Sequence, residues 1–293
     1  MAVIESAPPV VRFAPSPTGQ LHLGHAHSAL FCQQQAGPDG RFLLRIEDID
    51  RDRCRDEFEH GIFEDLAWLG LIWEEPVMRQ HARMPAYREA LQRLQALGGV
   101  YPCFCSRKEI QAEAARIGAA PHGPLGTPYP GTCRALSAAE RDSRIGAGEP
   151  YALRLDHRRT HALVGTPEWH DRALGRQAAD LSEIGDVMLA RKEVATSYHL
   201  AVVVDDAAQG ITLVTRGEDL LPATPIHRVL QALLDLPVPE WHHHGLLSDA
   251  QGRRLAKRDD ARAIATLREQ GRTPAEVRAL AGFPDREDGG PAL

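Results

Sequence analysis

Apolar and polar positions in the first hundred residues switch between two periods. Val10, Val11 and Phe13 form a short apolar run that predicts a strand from Val10 to Ala14. Pro15, Pro17 and Gly19 break it. A helix is expected from roughly His25 to Gln35 and a second strand from Arg41 to Glu47. Phe58, Ile62, Leu66 and Leu69 recur at helical spacing up to Gly70, as do Tyr87, Leu91, Leu94 and Leu97 up to Gly98 and Gly99. Such alternation implies a parallel sheet with helices on its faces.

From about Pro102 to Leu181 the pattern breaks up, and Gly, Pro and Cys accumulate around Pro121 to Pro130. This stretch reads as an insertion rather than another sheet layer. Ser137-Ala138-Ala139-Glu140 has the form of a capping box and predicts one short helix. Tyr198 to Asp206 is almost continuously apolar, which suits a strand buried on both faces. Ile211 to Val214 predicts another strand, and Thr224-Pro225 opens a helix through Leu234 with Thr as its cap. Thr273-Pro274-Ala275-Glu276 starts a last helix, and the tail after Asp285 reads as disordered. The expected fold class is α/β, a doubly wound parallel sheet split by an insertion. Residues 1–101 and 191–245 make its two halves, 102–190 the insertion, and 246–293 a loop and a short helical tail. Sheets of this type bind ligands beyond the carboxyl ends of their strands, where Arg12 to Ser16, Glu47 and Arg216 fall.

The run Arg12-Phe13-Ala14-Pro15-Ser16-Pro17-Thr18-Gly19-Gln20-Leu21-His22-Leu23-Gly24-His25 holds the densest chemistry. His22 and His25 stand three residues apart at a helix start, so both rings can address one ligand. Gly24 leaves room for a flat ring or a backbone to approach. Unpaired N–H groups at a helix start favour phosphate, so a nucleotide site is expected. His22-Leu23-Gly24-His25 resembles the HIGH signature of class I aminoacyl-tRNA synthetases, and the whole run resembles its form in the glutamyl branch. Gly252-Arg253-Arg254-Leu255-Ala256-Lys257-Arg258-Asp259 is similar to the second signature, KMSKS. Arg254 replaces its first Lys, Ala256 its Ser, and Lys257 stands as its second Lys; the alanine removes one hydroxyl donor.

The resemblance implies a Rossmann-type catalytic domain that uses ATP with Mg2+. His22, Gly24, His25 and Lys257 are then the ATP-binding set, with His22, His25 and Lys257 stabilising phosphate charge as an adenylate forms. An α-amino acid needs a carboxylate for its ammonium, and a substrate carboxylate is best met by arginine. By resemblance, Arg12 reads the side-chain carboxylate of L-glutamate. Ser16, Glu47, Tyr198 and Arg216 line the same pocket, and the Ala14 backbone approaches it.

Cys103, Cys105 and Cys133 cluster in the manner of thiolates around tetrahedral zinc. Tyr129, His122 and His157 are the candidates for a fourth ligand, and chemistry alone favours a histidine. The family pattern, C-x-C followed by Y-x-x-x-C, is matched by Tyr129-Pro130-Gly131-Thr132-Cys133. It implies one structural Zn2+ per chain on Cys103, Cys105, Tyr129 and Cys133. Trp241-His242-His243-His244 is not read as a metal site, because successive residues of a strand alternate sides.

Composition narrows the classes. With 43% hydrophobic and 25% charged residues, the chain of 293 is ordinary for a soluble globular protein. It shows neither a signal-peptide pattern nor an 18-residue apolar run, so no membrane partner and a cytoplasmic location are expected. A net charge of −6 argues against indiscriminate nucleic-acid binding but leaves room for a local basic face. Five cysteines, an odd number, argue against a disulfide framework. Only 35 residues follow Arg258, too few for the anticodon-reading domains of long glutamyl-tRNA synthetases. This resembles a truncated branch of that family. The branch activates L-glutamate without tRNA and transfers it to the queuosine base at the wobble position of tRNA(Asp); a monomer is expected. Two alternatives share the same motifs: a short glutamyl-tRNA synthetase charging the tRNA 3′ end, and a non-catalytic paralogue that binds tRNA or glutamate.

Overall fold

In the computed structural model, residues 7–116, 129–191, 196–247 and 263–284 are described. The first half runs β1 (Val10–Phe13), α1 (Leu23–Ala36), β2 (Arg41–Ile46), α2 (Asp56–Trp68), β3 (Glu74–Arg79) and α3 (Met84–Ala96). Next come β4 (Val100–Cys103), α4 (Arg107–Arg116), α5 (Ala138–Gly146), β5 (Ala152–Leu155), α6 (His157–Val164), β6 (Glu168–Asp171), β7 (Gly175–Ala178) and β8 (Met188–Ala190). The second half holds α7 (Tyr198–Ala208), β9 (Leu213–Gly217), α8 (Thr224–Leu234) and β10 (Glu240–His244), followed by α9 (Ile264–Glu269) and α10 (Pro274–Leu280).

β1 pairs in parallel with β2, and β2 with β3. β9 pairs in parallel with β10, and β10 with β6. β9 lies beside β1, where Thr212 N donates to Val10 O at 3.0 Å and Val10 N to Thr212 Oγ1 at 2.9 Å. Period-two alternation sends side chains to opposite faces. Leu43, Val214 and Trp241 pack with α3, α7 and α8 on one face. Phe42, Leu44, Ile46 and Leu213 pack with α1, α2, α9 and α10 on the other. Two apolar cores on the two faces of a parallel sheet are the physical content of a doubly wound fold.

Three sequence expectations need correction. Tyr198 to Asp206 is helix α7, not a strand. Leu200, Ala201, Val202 and Val203 are all buried between α3 and α8, and a helix buried all round has no polar face to reveal its period. The stretch from Pro102 to Leu181 is not merely an insertion outside the sheet. β4, β5 and β8 form a separate antiparallel sheet, but the β6–β7 hairpin extends the parallel pair β9–β10 in the order β7-β6-β10-β9. Trp169 fixes the hairpin there by packing edge-on to Trp241 at 5.4 Å. Thr224 lies inside α8 rather than capping it; its hydroxyl is used elsewhere, as described below. The capping boxes of Ser137 with Glu140 and Thr273 with Glu276 form as expected.

Candidate active site

A cleft of about 380 Å³ opens at the carboxyl ends of β1, β2 and β9. Arg12, Ala14, His22, Gly24, His25, Glu47, Tyr198 and Arg216 all line it. Ser16 is exposed and is not among the lining residues. Lys257 and the rest of the second signature lie outside the described residues. The flanks of that segment are nevertheless attached to the cleft. Leu246 and Leu247 line it, and Ala263 bridges to His22, with Ile264 N donating to Leu21 O at 2.9 Å.

His22 caps α1: its Nδ1 accepts from Gly24 N at 3.1 Å, while His25 Nδ1 accepts from His22 N at 3.1 Å. Each Nδ1 serves as an acceptor, so the neutral ring carries its proton on Nε2. The two rings lie 3.8 Å apart between centroids. Gly24 serves a nearer neighbour than expected: a Cβ there would sit 3.0 Å from His22 Cε1. The missing side chain makes room for the folded-back ring of His22 itself.

The two cleft arginines differ in their partners. Arg12 donates through Nε and Nη2 to the two oxygens of Asp206, at 2.9 and 3.2 Å. Asp206 Oδ1 also accepts from Arg45 Nη1 at 2.7 Å. Arg12, Arg45 and Asp206 are all buried. Burial alone would raise the Asp206 carboxyl, but the two guanidinium groups outweigh it and hold it below its ordinary value. Glu47 receives one bond, from Arg45 Nη2 at 3.3 Å, and burial pushes its carboxyl up against the pull of Arg45 and Arg12. α7 makes this arrangement possible. Tyr198 at its start and Asp206 near its end are eight residues apart, about 12 Å in a helix against about 26 Å in a strand.

Arg216 is just as buried, yet no carboxylate lies within ion-pair distance of it among the described residues. Nε donates to His243 Nε2 at 3.0 Å, and Nη1 to His227 Nδ1 at 3.1 Å and Tyr198 Oη at 3.4 Å. Nη2 donates to Thr224 Oγ1 at 2.5 Å. Burial lowers the pKa of this guanidinium. His243 and His227 are also pushed down, first by burial and then by the charge of Arg216, His243 to about 4. The cleft thus contains a buried cation whose direct partners among the described residues are all neutral.

A second cluster lies in the insertion. The sulfurs of Cys103, Cys105 and Cys133 all fall within 4.8 Å of one another, with Cys105 and Cys133 at 3.4 Å. Tyr129 Oη stands 3.6 Å from Cys105 Sγ and accepts from Cys133 N at 2.8 Å. Four donors around zinc at Zn–S distances of 2.3 Å would stand about 3.8 Å apart, so the spacing fits a tetrahedral ion. His157 is engaged elsewhere, its Nδ1 lying 2.6 Å from Asp186 Oδ1, and His122 lies outside the described residues. The three adjacent histidines of β10 diverge as strand alternation requires. His242 and His244 flank Phe31, while His243 faces Trp169 and Asp171.

Sequence reasoning passed over Asp206, Asp171, His227, His243 and Thr224 as parts of the site. Asp205-Asp206 closing an apolar run was the available signal for the first. The histidine run of β10 was a signal for His243, whereas Asp171 on β6 and His227 and Thr224 on α8 had none.

A family model described as tRNA synthetases class I (E and Q), catalytic domain, matches residues 9–282. A glutamyl-Q tRNA(Asp) synthetase of Rhodobacter capsulatus is 51% identical over 94% of this chain and all of its own length. One of Nocardia farcinica is 45% identical over 94% of this chain and 85% of its own. Among solved structures, a glutamate tRNA ligase from Elizabethkingia meningosepticum, in complex with its amino acid, superposes with a TM-score of 0.81 at 27% identity. The match covers 98% of this chain but only 63% of that ligase. The chain therefore belongs to the class I glutamyl/glutaminyl tRNA synthetase family, on the branch of the glutamyl-Q tRNA(Asp) synthetases.

Proposed function

We propose that this chain activates L-glutamate with ATP and transfers it to the queuosine base of tRNA(Asp). In the first step the glutamate α-carboxylate attacks the α-phosphorus of ATP, and the bond to the departing pyrophosphate breaks. The Nε2–H groups of His22 and His25, with Lys257, meet the charge that develops on the phosphates. Arg12 and Arg216 hold the substrate side-chain carboxylate beside Tyr198, and Glu47 takes the ammonium. In the second step a hydroxyl of the modified nucleoside attacks the glutamyl carbonyl and releases AMP. Mg2+ accompanies the ATP. Cys103, Cys105, Tyr129 and Cys133 hold a structural Zn2+, which cross-links β4 to the segment before α5, away from the reacting atoms. The compartment is the cytoplasm; among the described residues no helix is long and apolar enough to cross a membrane.

The observation that carries this reading is the convergence of the two helix-start imidazoles, two buried guanidinium groups and one carboxylate on a single cleft. The choice of acceptor is supported by the relatives that bear that name over most of their length. The test has two parts. Glutamate-dependent ATP–pyrophosphate exchange is expected without tRNA. Radiolabelled glutamate is then expected on tRNA(Asp) that carries queuosine and not on the same tRNA lacking it. Equal labelling of both tRNAs would shift the assignment to 3′-end charging, and absence of exchange would remove the enzyme reading altogether.

A further inference from the structure

The shell around Arg216 is built so that its charge stays open. An arginine buried this deeply is ordinarily paired with a carboxylate, because an uncompensated buried charge is costly. Here the fold carries a carboxylate, Asp171, to the same region but inserts an imidazole between the two. Asp171 is fully buried on β6. Its Oδ1 accepts from Ala173 N and Leu174 N at 2.8 and 3.0 Å, and its Oδ2 lies 2.6 Å from His243 Nδ1. Arginine has only donors, so His243 Nε2 must accept from Arg216. The imidazole proton then sits on Nδ1 and is donated to Asp171. The same logic fixes His227. Its Nδ1 accepts from Arg216, leaving its proton on Nε2 to donate to His199 Nδ1 at 3.2 Å. Four of the five guanidinium N–H groups are used by neutral acceptors, and one on Nη2 has no partner among the described residues.

We propose that His243 and His227, with Asp171 orienting His243, are positioning residues that hold Arg216 rigid but without a directly paired carboxylate, and that this open charge determines selection of a carboxylate over an amide side chain. The proposal rests on the reading of the cleft as a glutamate site. Arg12 cannot supply the same discrimination alone, since Asp206 already takes its Nε–Nη2 edge. Through His243, the Asp171 carboxylate polarises the acceptor that fixes the guanidinium plane without neutralising it. The β6–β7 hairpin, which brings Asp171, thereby becomes part of the substrate site although it lies in the stretch expected to be an insertion.

The test compares His243→Gln, His243→Leu and His243→Glu with the wild type in ATP–pyrophosphate exchange, using glutamate and glutamine. Gln keeps a neutral acceptor near the Nε2 position and is expected to stay within a few-fold of wild type. Leu leaves a guanidinium N–H unpaired and is expected to raise the KM for glutamate about 10- to 100-fold, with the KM for ATP unchanged. Glu places a carboxylate directly on Arg216 and is expected to cut the glutamate-to-glutamine ratio of kcat/KM at least about 10-fold. His227→Glu, on α8, is the parallel variant should substitution on β10 prevent folding, and thermal melts report folding in each case. An unchanged ratio in folded His243→Glu and His227→Glu would overturn the proposal, as would equal losses in Gln and Leu. If the wild type activates no glutamate, the functional reading fails by itself. Calorimetry with glutarate against its monoamide then decides the charge claim: preference for the dicarboxylate sustains it, and no preference ends it.

Discussion

His22 and His25 use the same nitrogen for the same task. Each Nδ1 accepts a backbone N–H at the start of α1, so a single capping box commits both neutral rings to carry the proton on Nε2. Helix capping and the orientation of both Nε2–H groups are therefore one structural device.

Replacing His22 should consequently damage stability and catalysis together. His22→Ala is expected to destabilise the fold by about 1 kcal/mol through the lost cap. It should also slow pyrophosphate exchange about 100-fold or more through the lost donor. His22→Asn keeps a capping group and should restore the melting temperature without restoring the rate. Parallel melts and exchange assays separate the two effects.

Lys257 stands in the segment whose flanks attach to the cleft at Leu247 and at Ala263, opposite His22. Lys257→Ala is expected to reduce the exchange rate about 100- to 1,000-fold with an unchanged melting temperature. A near-normal rate would show that the second signature does not serve the departing pyrophosphate.

Asp206 is the common counter-charge of Arg12 and Arg45. Asp206→Asn keeps the shape but leaves two buried guanidinium groups short of a negative charge. A loss of about 3–5 kcal/mol in urea unfolding is expected. Truncating an exposed pair such as Arg41 with Glu74 should leave the unfolding midpoint almost unchanged, because solvent screens it.

Acid should weaken the fold through the shell of Arg216. His243 is pushed down to about 4 by burial and by Arg216, and His227 is lowered by the same two causes. In the unfolded chain both titrate near 6.5. Between about pH 6.5 and 4 the unfolded state therefore binds more protons, so stability is complete above 6.5 and declines as pH falls through that window. For His243 alone the loss is on the order of 3 kcal/mol. Urea melts at several pH values should show a shallower acid decline in His243→Gln.

One zinc per chain is expected by elemental analysis, and Cys133→Ser should abolish it. Tyr129→Phe removes the phenol that stands 3.6 Å from Cys105 Sγ and is expected to weaken retention against a chelator. Full retention would exclude Tyr129 as an essential ligand.

The sequence by itself determined the local elements and the motif chemistry. Proline and glycine breaks, capping residues and apolar spacing act over a few residues, so β1, α1, β2 and the two Ser/Thr capping boxes could be read directly. The histidines of the first signature were legible for the same reason, since a helix start fixes their relation. α7 was not legible, because an element buried on every side carries no polar face and its valines suit a strand equally well. The placement of the β6–β7 hairpin was not legible either, since it depends on Trp169 meeting Trp241 about seventy residues away. Only the tertiary structure decided which arginine is neutralised and which is left open. Asp206 reaches Arg12 from α7, whereas Asp171, His243, His227 and Thr224 reach or bear on Arg216 from β6, β10 and α8. Those separations in sequence leave no periodic trace, because burial and charge pairing act between elements that only folding brings together.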